Sequence, residues 1–400
     1  MSEIEFNDFY TLTKLSGTTF DFFSWVRDLK SAVHDRRLLD FGVADAFLPP
    51  PEKLRNALVR AVADCGYQSY VYGHVEYESA CLNFVKKQCN GDVPLKVLPT
   101  SGAKSALNLV CLAFLNPGDV VLVTAPAYPV LAIMAQRLGA TVVELPLHPG
   151  NDFIPDFTDL PDTVLAKVKI LSVNYPNNPS GKIASQNECS RLLEFCSAHD
   201  ILLVNDAAYS SLLTERSLQG SFFQNAQAKV IEVHSLSKTL QVPGWRLGFI
   251  IAAPEIIAKL RALVLLHESG QPKIFLDAVS EVVCDDGVME QTAREVSLRR
   301  HELVNVLHRT GFQVTNVRGA FFVYVLSPIG TLCGKTFETA SDFSRFLAGS
   351  LGVITIPYDV VERGFVRFSV AFKGDQGVVL KELEEKLRSV KFVFREEPIS

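Results

Sequence analysis

The sequence contains no run of about 18 apolar residues, so nothing in it reads as a membrane-spanning helix. Its 39 lysines and arginines face 44 aspartates and glutamates, a net charge of −5, so the basic footprint of a nucleic-acid binder is missing. Eight cysteines stand apart, with no Cys-x-x-Cys pair and no metal-ligand spacing with histidine. Several, such as Cys111 in LNLVCLAFL, lie in apolar runs and read as buried thiols, which points to a reducing compartment, the cytoplasm. The amino-terminal MSEIEFNDFY is acidic and lacks the basic and apolar regions of a secretory leader. There is no internal repeat or low-complexity linker, and the one charge-dense stretch, KELEEKLR, reads as a solvated helix face.

What is present is the composition of a soluble globular enzyme, 48% apolar and 21% charged. Four hundred residues exceed one ordinary core and suggest two domains. Short β-branched runs at 94–100, 119–126, 140–147, 167–175, 200–209, 229–237 and 245–253 read as seven strands. Helical patterns fall between them, as at 103–115, which ends at Asn116-Pro117-Gly118, and at 187–200. Such alternation predicts an α/β fold with a mostly parallel sheet covered by helices on both faces. From about 290 the rhythm changes to a long helix (289–309), the segments FQVTNV, AFFVYVLS, GVITIPY and GFVRFSVAF, and a last helix. This predicts a large domain over 46–288 and a smaller α+β domain built from 1–45 and 289–400.

Ligands of open α/β sheets sit beyond the carboxyl ends of the strands. There the pattern gathers Gly102, Tyr128, Asn178, Asp206, Tyr209, Ser235 and Lys238. SGAKSAL follows a strand and opens a helix, so the backbone N–H groups of Gly102, Ala103 and Lys104 can hold an anion. It matches neither the Walker pattern nor Gly-x-Gly-x-x-Gly, and its bland reading is a turn. Asp206 ends a strand of Ile, Leu and Val, where a carboxylate is costly unless paired, and its bland reading is a helix cap. NYPNNPSG is turn chemistry first, with Asn178 a turn former. A lysine elsewhere is usually a surface residue, but Lys238 sits in HSLSKTLQVPGWRLGF with Ser235 and Ser237 before it and Arg246 eight residues on. Jointly these residues solve one problem. A lysine amine forms a Schiff base, an aspartate keeps a pyridinium protonated, and a nest of N–H groups seats a phosphate.

NYPNNPSG, NDAAY and SLSKTLQVPGWRLGF, in this order along the chain, resemble the motifs of the class I/II aminotransferases, over roughly residues 35–375. That resemblance implies fold type I, as in aspartate aminotransferase, and pyridoxal phosphate (PLP) as cofactor. It implies that Lys238 holds the cofactor as a Schiff base and shuttles the substrate proton. Ser235, Ser237, Arg246 and the Gly102–Lys104 backbone would hold the phosphate. Asp206 would pair with the ring nitrogen, Tyr209 and Asn178 would bind the phenolic oxygen, and Tyr128 would stack on the ring. Arg367, in GFVRFSVAF, would bind the substrate carboxylate. Tyr70 would reach the phosphate of a neighbouring subunit, with Tyr67 and Tyr72 competing for that role, and so implies a two-fold homodimer. Substrates would be an L-amino acid and a 2-oxo acid, exchanged with ping-pong kinetics.

Three segments depart from the family pattern. Ala44, on the substrate side, stands where glycine is usual. YGHVEYESACL has Val75, Ser79 and Ala80 in place of glycine and Leu-Arg, and TIPYDVVERGFVRF has Tyr358 where glycine is common. All lie toward the substrate or the dimer contact. The loop HESGQPK, with His267, Glu268, Ser269 and Lys273, reads as solvated. Two other readings keep the cofactor: a lyase (a β-eliminase or an aminocyclopropane carboxylate synthase-like enzyme) and a non-catalytic PLP-binding regulator.

Overall fold

The structure is a computed structural model and describes residues 19–32, 37–87, 89, 93–215, 218–224, 229–315, 319–359 and 364–395. The MSEIEFNDFY segment and residues 360–363 of the loop before Arg367 lie outside these.

Seven strands share one sheet: β1 (Lys96–Thr100), β2 (Val120–Ala125), β3 (Thr141–Pro146), β4 (Val168–Val173), β5 (Leu202–Asp206), β6 (Val230–Ser235) and β7 (Gly248–Ala252). Each lies inside a stretch that the apolar pattern marks. Their order is β1-β7-β6-β5-β4-β2-β3. Strands β2 to β6 run parallel, and β7 runs antiparallel to both neighbours. Every residue of β2, β5, β6 and β7 is buried, as expected of strands covered on both faces. Alternation along β4 shows how: Leu171 and Val173 join the core on one face, Ile170 the core on the other. Each such side chain stabilises the sheet by roughly 2 kcal/mol.

The connecting helices carry their own start and stop signals. Helix α1 (Ala103–Phe114) opens behind Gly102, whose φ of +84° suits glycine. A Cβ there would stand 2.8 Å from Arg246 Nη2, so the turn needs glycine twice over. Helix α2 (Gln186–Ala198) is held by a reciprocal capping box, Ser185 N–H donating to Glu188 at 2.7 Å and Glu188 N–H to Ser185 Oγ at 3.4 Å. Helix α3 (Asp286–Arg309) begins three residues earlier than its periodicity suggests, because the Asp285 carboxylate caps the Val288 N–H at 3.2 Å.

Beyond α3 a second sheet runs β9-β10-β8, from β8 (Phe322–Leu326), β9 (Ile356–Tyr358) and β10 (Phe365–Ser369), all antiparallel. Its core includes Phe321, Phe322, Phe343 and Phe368, joined by Leu39 and Phe41 from far upstream. The two-residue strand Leu39–Asp40 pairs with Val353–Ile354 and brings that upstream segment here. FQVTNV yields a bridge between Val314 and Val325, closed by Thr315 N–H to the Tyr324 carbonyl at 3.0 Å and Leu326 N–H to the Gln313 carbonyl at 3.2 Å, and 316–318 lie outside the described residues. A helix over Thr19–Ala32, which the sequence reading did not mark, packs on β9.

Candidate active site

The carboxyl ends of β5 and β6, the start of α1 and strand β10 meet around a cavity of about 490 Å³. All the candidate site residues except Gly102 and Tyr70 line it. Gly102 lies just behind, against the Arg246 guanidinium. Tyr70 is 77% exposed, and its ring lies 6.2 Å from that of Tyr72, away from the cavity.

At one end the first residues of α1, Ala103 and Lys104, face Ser235, Ser237 and Arg246. Arg246 takes a left-handed backbone (φ +56°) directly after a short turn. Its Nη1 donates to the Pro243 carbonyl at 2.9 Å and its Nη2 to the Ser101 carbonyl at 3.3 Å, so the guanidinium is fixed beside the helix start. Free helix N–H groups, two hydroxyls and a guanidinium make an anion site.

At the other end Asp206 terminates β5. Burial pushes its carboxyl up to about 6, opposed by the Ala208 N–H, which donates to Oδ1 at 3.2 Å, and by the charge of His234. Asn174 Nδ2 holds the Asp206 carbonyl at 2.7 Å while its Oδ1 accepts from Asn178 N–H at 2.9 Å. One asparagine thus sets both the acid and the turn that carries Asn178. Burial also drives the Tyr209 phenol well above its usual range, with Arg367 opposing.

Lys238 lies between. Burial lowers its amine to about 8; Asp45 resists this, and the cations Arg367 and Arg246 add to it. Its Nζ donates to the Ala44 carbonyl. Gln241 ties that upstream segment to the lysine turn: its Oε1 accepts from Phe47 and Leu48 N–H at 2.9 and 3.1 Å, and its Nε2 donates to the Lys238 carbonyl at 2.7 Å.

Arg367, on β10, forms the far wall. Nη1 donates to Asn178 Oδ1 at 2.7 Å and to the Tyr358 hydroxyl at 3.4 Å, and Nη2 donates to the Gly42 carbonyl at 2.7 Å. Its carbon Cζ stands 4.0 Å over the Phe322 ring. Nε is buried without an acceptor among the described residues. That is a donor deficit a carboxylate ligand relieves. A second cavity of about 520 Å³ shares the Tyr128, Asp206 and Tyr358 walls and adds Glu144, Arg345 and Asp359.

Asn174, Gln241 and His234 escaped sequence reasoning. Gln241, three residues past Lys238 in the quoted motif, was the most accessible of them. Tyr358 entered only as a departure, and the structure makes it a wall of both cavities. Among the described residues no helix is long and apolar enough to cross a membrane, and no group of three metal-binding side chains occurs.

The donor set fits pyridoxal phosphate: an anion site at one end, a buried carboxylate at the other, Tyr128 on the wall between them, and an amine with a lowered pKa. The cavity volume suits a small cofactor with its substrate.

Residues 37–379 match the family described as aminotransferase class I and II. The chain is 32% identical over 351 residues to an LL-diaminopimelate aminotransferase of Dehalococcoides mccartyi, covering 85% of this chain and 88% of that one. It is also 32% identical to an LL-diaminopimelate aminotransferase of Methanococcus maripaludis over 309 residues, 75% of this chain and 74% of that one. Among solved structures, substrate-bound BacF from Bacillus subtilis superposes with a TM-score of 0.88 at 24% identity, over 98% of this chain and 100% of that one. An aspartate aminotransferase mutant from Thermus thermophilus gives 0.84 at 23% identity, over 97% and 100%.

Proposed function

Because the chain belongs to the class I and II aminotransferases, we propose that Lys238 carries its chemistry and that the charges around the cavity set the roles of the other residues. The protein is a PLP-dependent transaminase that moves an amino group between an L-amino acid and a 2-oxo acid in two half-reactions. Of the three readings open to the sequence, this is the one whose name the relatives bear.

When bound, the cofactor supplies a carbonyl that takes up the amino group and a ring that withdraws the electron pair left at Cα. Ser235, Ser237, Arg246 and the Gly102–Lys104 backbone hold its phosphate. Asp206 holds the ring-nitrogen proton, and Tyr209 with the free Asn178 amide donates to the phenolic oxygen. Tyr128 stacks on the ring. Arg367 seats the substrate carboxylate, with Asn178 and Gly42 fixing its fork. Lys238, with an amine near 8, is neutral often enough at physiological pH to take the Cα proton, and it would return that proton on the cofactor's side of the nitrogen. The observation that carries this reading is the single cavity in which Lys238, Asp206 and Arg367 all meet.

We place LL-diaminopimelate, or a donor like it with a second ammonium and carboxylate, as the substrate. The relatives' name suggests it, and the adjoining cavity supports it by bringing both signs of charge, Glu144 and Asp359 with Arg345, past Tyr358. The working unit is a homodimer in which Tyr70 serves the partner's phosphate site; its exposure, with Tyr72 and Val75 nearby, supports that role. Separate apolar cores, on the faces of the seven-stranded sheet and on the β8–β10 sheet, support the division into a large domain over 46–288 and a small one from 1–45 and 289–400. Eight free cysteines support a cytoplasmic location.

The test is a donor panel. Loaded protein is mixed with single amino acids and no oxo acid, and the visible cofactor band is followed. Bleaching by LL-diaminopimelate, reversed by a 2-oxo acid, is the expected result. A band untouched by it but bleached by simple monocarboxylic amino acids sinks the substrate assignment.

A further inference from the structure

Strand β6 lies inside the sheet, yet two of its six buried residues are ionisable: Glu232 and His234. They sit two apart, on the face that packs Val230, Leu203 and Phe249 into the apolar core. Removing such a pair from water costs several kcal/mol per ion, and apolar residues of similar size are often at least as stable. A transaminase site already complete without them gives no reason for the pair to be there.

Their hydrogen bonds supply one. His234 Nε2 lies 3.0 Å from Glu232 Oε2, and Asn205 Nδ2 donates to Glu232 Oε1 at 3.4 Å. The imidazole is stacked on Phe249 at 4.8 Å between centroids. Its Nδ1 lies 3.4 Å from Ser210 Oγ, and that hydroxyl donates its only proton to the Ala207 carbonyl at 2.9 Å. Ser210 therefore turns a lone pair toward Nδ1, and Glu232 Oε2 faces Nε2, so both ring nitrogens meet oxygen atoms able to accept, surroundings that suit an imidazolium beside a carboxylate.

The same contacts reach the active site. Ala207 to Ser210 is the turn that follows Asp206, supplies the Ala208 N–H to its carboxylate, and presents Tyr209. Ala207 N–H itself donates to the Val233 carbonyl at 2.9 Å, beside His234. No hydrogen bond joins His234 to Asp206, so the charge acts through space and the turn acts through Ser210.

We propose that Glu232 and His234 form a buried ion pair that holds the Asp206–Tyr209 turn and keeps Asp206 ionised, making His234 a positioning residue for the ring-nitrogen contact. The proposal rests on the reading of Asp206 given above. The charge of His234 opposes the burial that pushes the Asp206 carboxyl up to about 6, the direction the proposal needs. Other groups facing the pair are Asn205, Ser210 and the thiols of Cys89 and Cys189, which burial chiefly raises and Glu232 raises further. Facing Asp206 from the cavity are Tyr209, Tyr128, Lys238 and Arg367.

The test uses the loaded enzyme with isotope-labelled histidine and with cofactor labelled at the ring nitrogen, read by NMR at neutral pH. The His234 signal, assigned by its loss in His234→Asn, is expected to show two protonated ring nitrogens; a single proton overturns the proposal, whatever the variants do. In His234→Asn and in the isosteric Glu232→Gln, the cofactor nitrogen is expected to move toward the unprotonated pyridine value. Its pH midpoint should fall by on the order of one unit, with kcat down about tenfold and KM little changed. An unchanged cofactor nitrogen in both variants overturns the proposal. Asp206→Asn separates the two claims: if it moves the cofactor nitrogen while the other variants do not, only the ion pair's role fails. If Asp206→Asn leaves that signal alone, the reading of Asp206 fails instead.

Discussion

Arg367 Nη1 donates to Asn178 Oδ1 at 2.7 Å, a bond between residues 189 positions apart that joins β10 to the turn beyond β4. On the proposed roles of these two residues, it couples the site for a substrate carboxylate to the site for the cofactor's phenolic oxygen. Asn178 cannot shift toward one without moving the other.

Arg367→Lys keeps the charge but loses the fork that spans Asn178 and Gly42. Steady-state kinetics are expected to show kcat/KM lower by roughly 30- to 150-fold, about 2–3 kcal/mol, mostly in KM. A change within twofold would remove Arg367 from substrate binding.

Asp206 gives a stability prediction with a definite sign. Its folded pKa of about 6 lies above the ordinary 3.8, so between these values the native protein binds more protons than the unfolded chain. Its contribution is complete below the unfolded value and is lost as pH rises through about 6. Asn at this position carries no charge to desolvate. Cofactor-free Asp206→Asn should therefore match wild type near pH ~4 and exceed it by up to roughly 3 kcal/mol near pH ~7 in urea titrations. Parallel pH profiles for the two proteins would contradict this.

Much of this site was legible because its chemistry rides on strand ends. Runs such as ILLVND and KVIEVHS announce a strand by their β-branched residues and its end by the first polar ones, and the fold then brings those ends to one edge. The motif around Lys238 placed Ser235 and Arg246 through short local geometry. Asn174 and Gln241 were not legible, because each acts through contacts to chain segments that only folding brings close. Glu232 and His234 were hidden differently: in a strand pattern they look like outward residues of a half-exposed strand, and only the core packed on that face, with Phe249 stacked on the imidazole, makes them buried. Thr19–Ala32 has no local stop signal beyond its periodicity, and the strand it packs on, β9, lies at the other end of the chain.

Lys238 should betray its lowered pKa in the cofactor-free protein. With an amine near 8, the rate at which it combines with added pyridoxal phosphate should rise roughly fivefold from pH ~7 to ~8 and level off above ~9. A rate still climbing tenfold per pH unit up to ~10 would mean an ordinary, exposed lysine.

Tyr358 lines both cavities, and its hydroxyl accepts from Arg367 Nη1 at 3.4 Å. Tyr358→Phe removes only that long bond and should change kcat/KM by no more than about threefold. Tyr358→Gly should merge the cavities and widen the range of donors, seen as bleaching by bulky amino acids that leave wild type unchanged. An unaltered donor range would make Tyr358 a packing residue.

If Lys238 is the covalent anchor and proton carrier, borohydride reduction of the loaded protein fixes the cofactor on it, and digestion with mass spectrometry locates the modified residue. The pyridoxyl group is expected on Lys238 alone, and none in Lys238→Ala. Modification at Lys104 instead, or no stable modification in wild type, would contradict it.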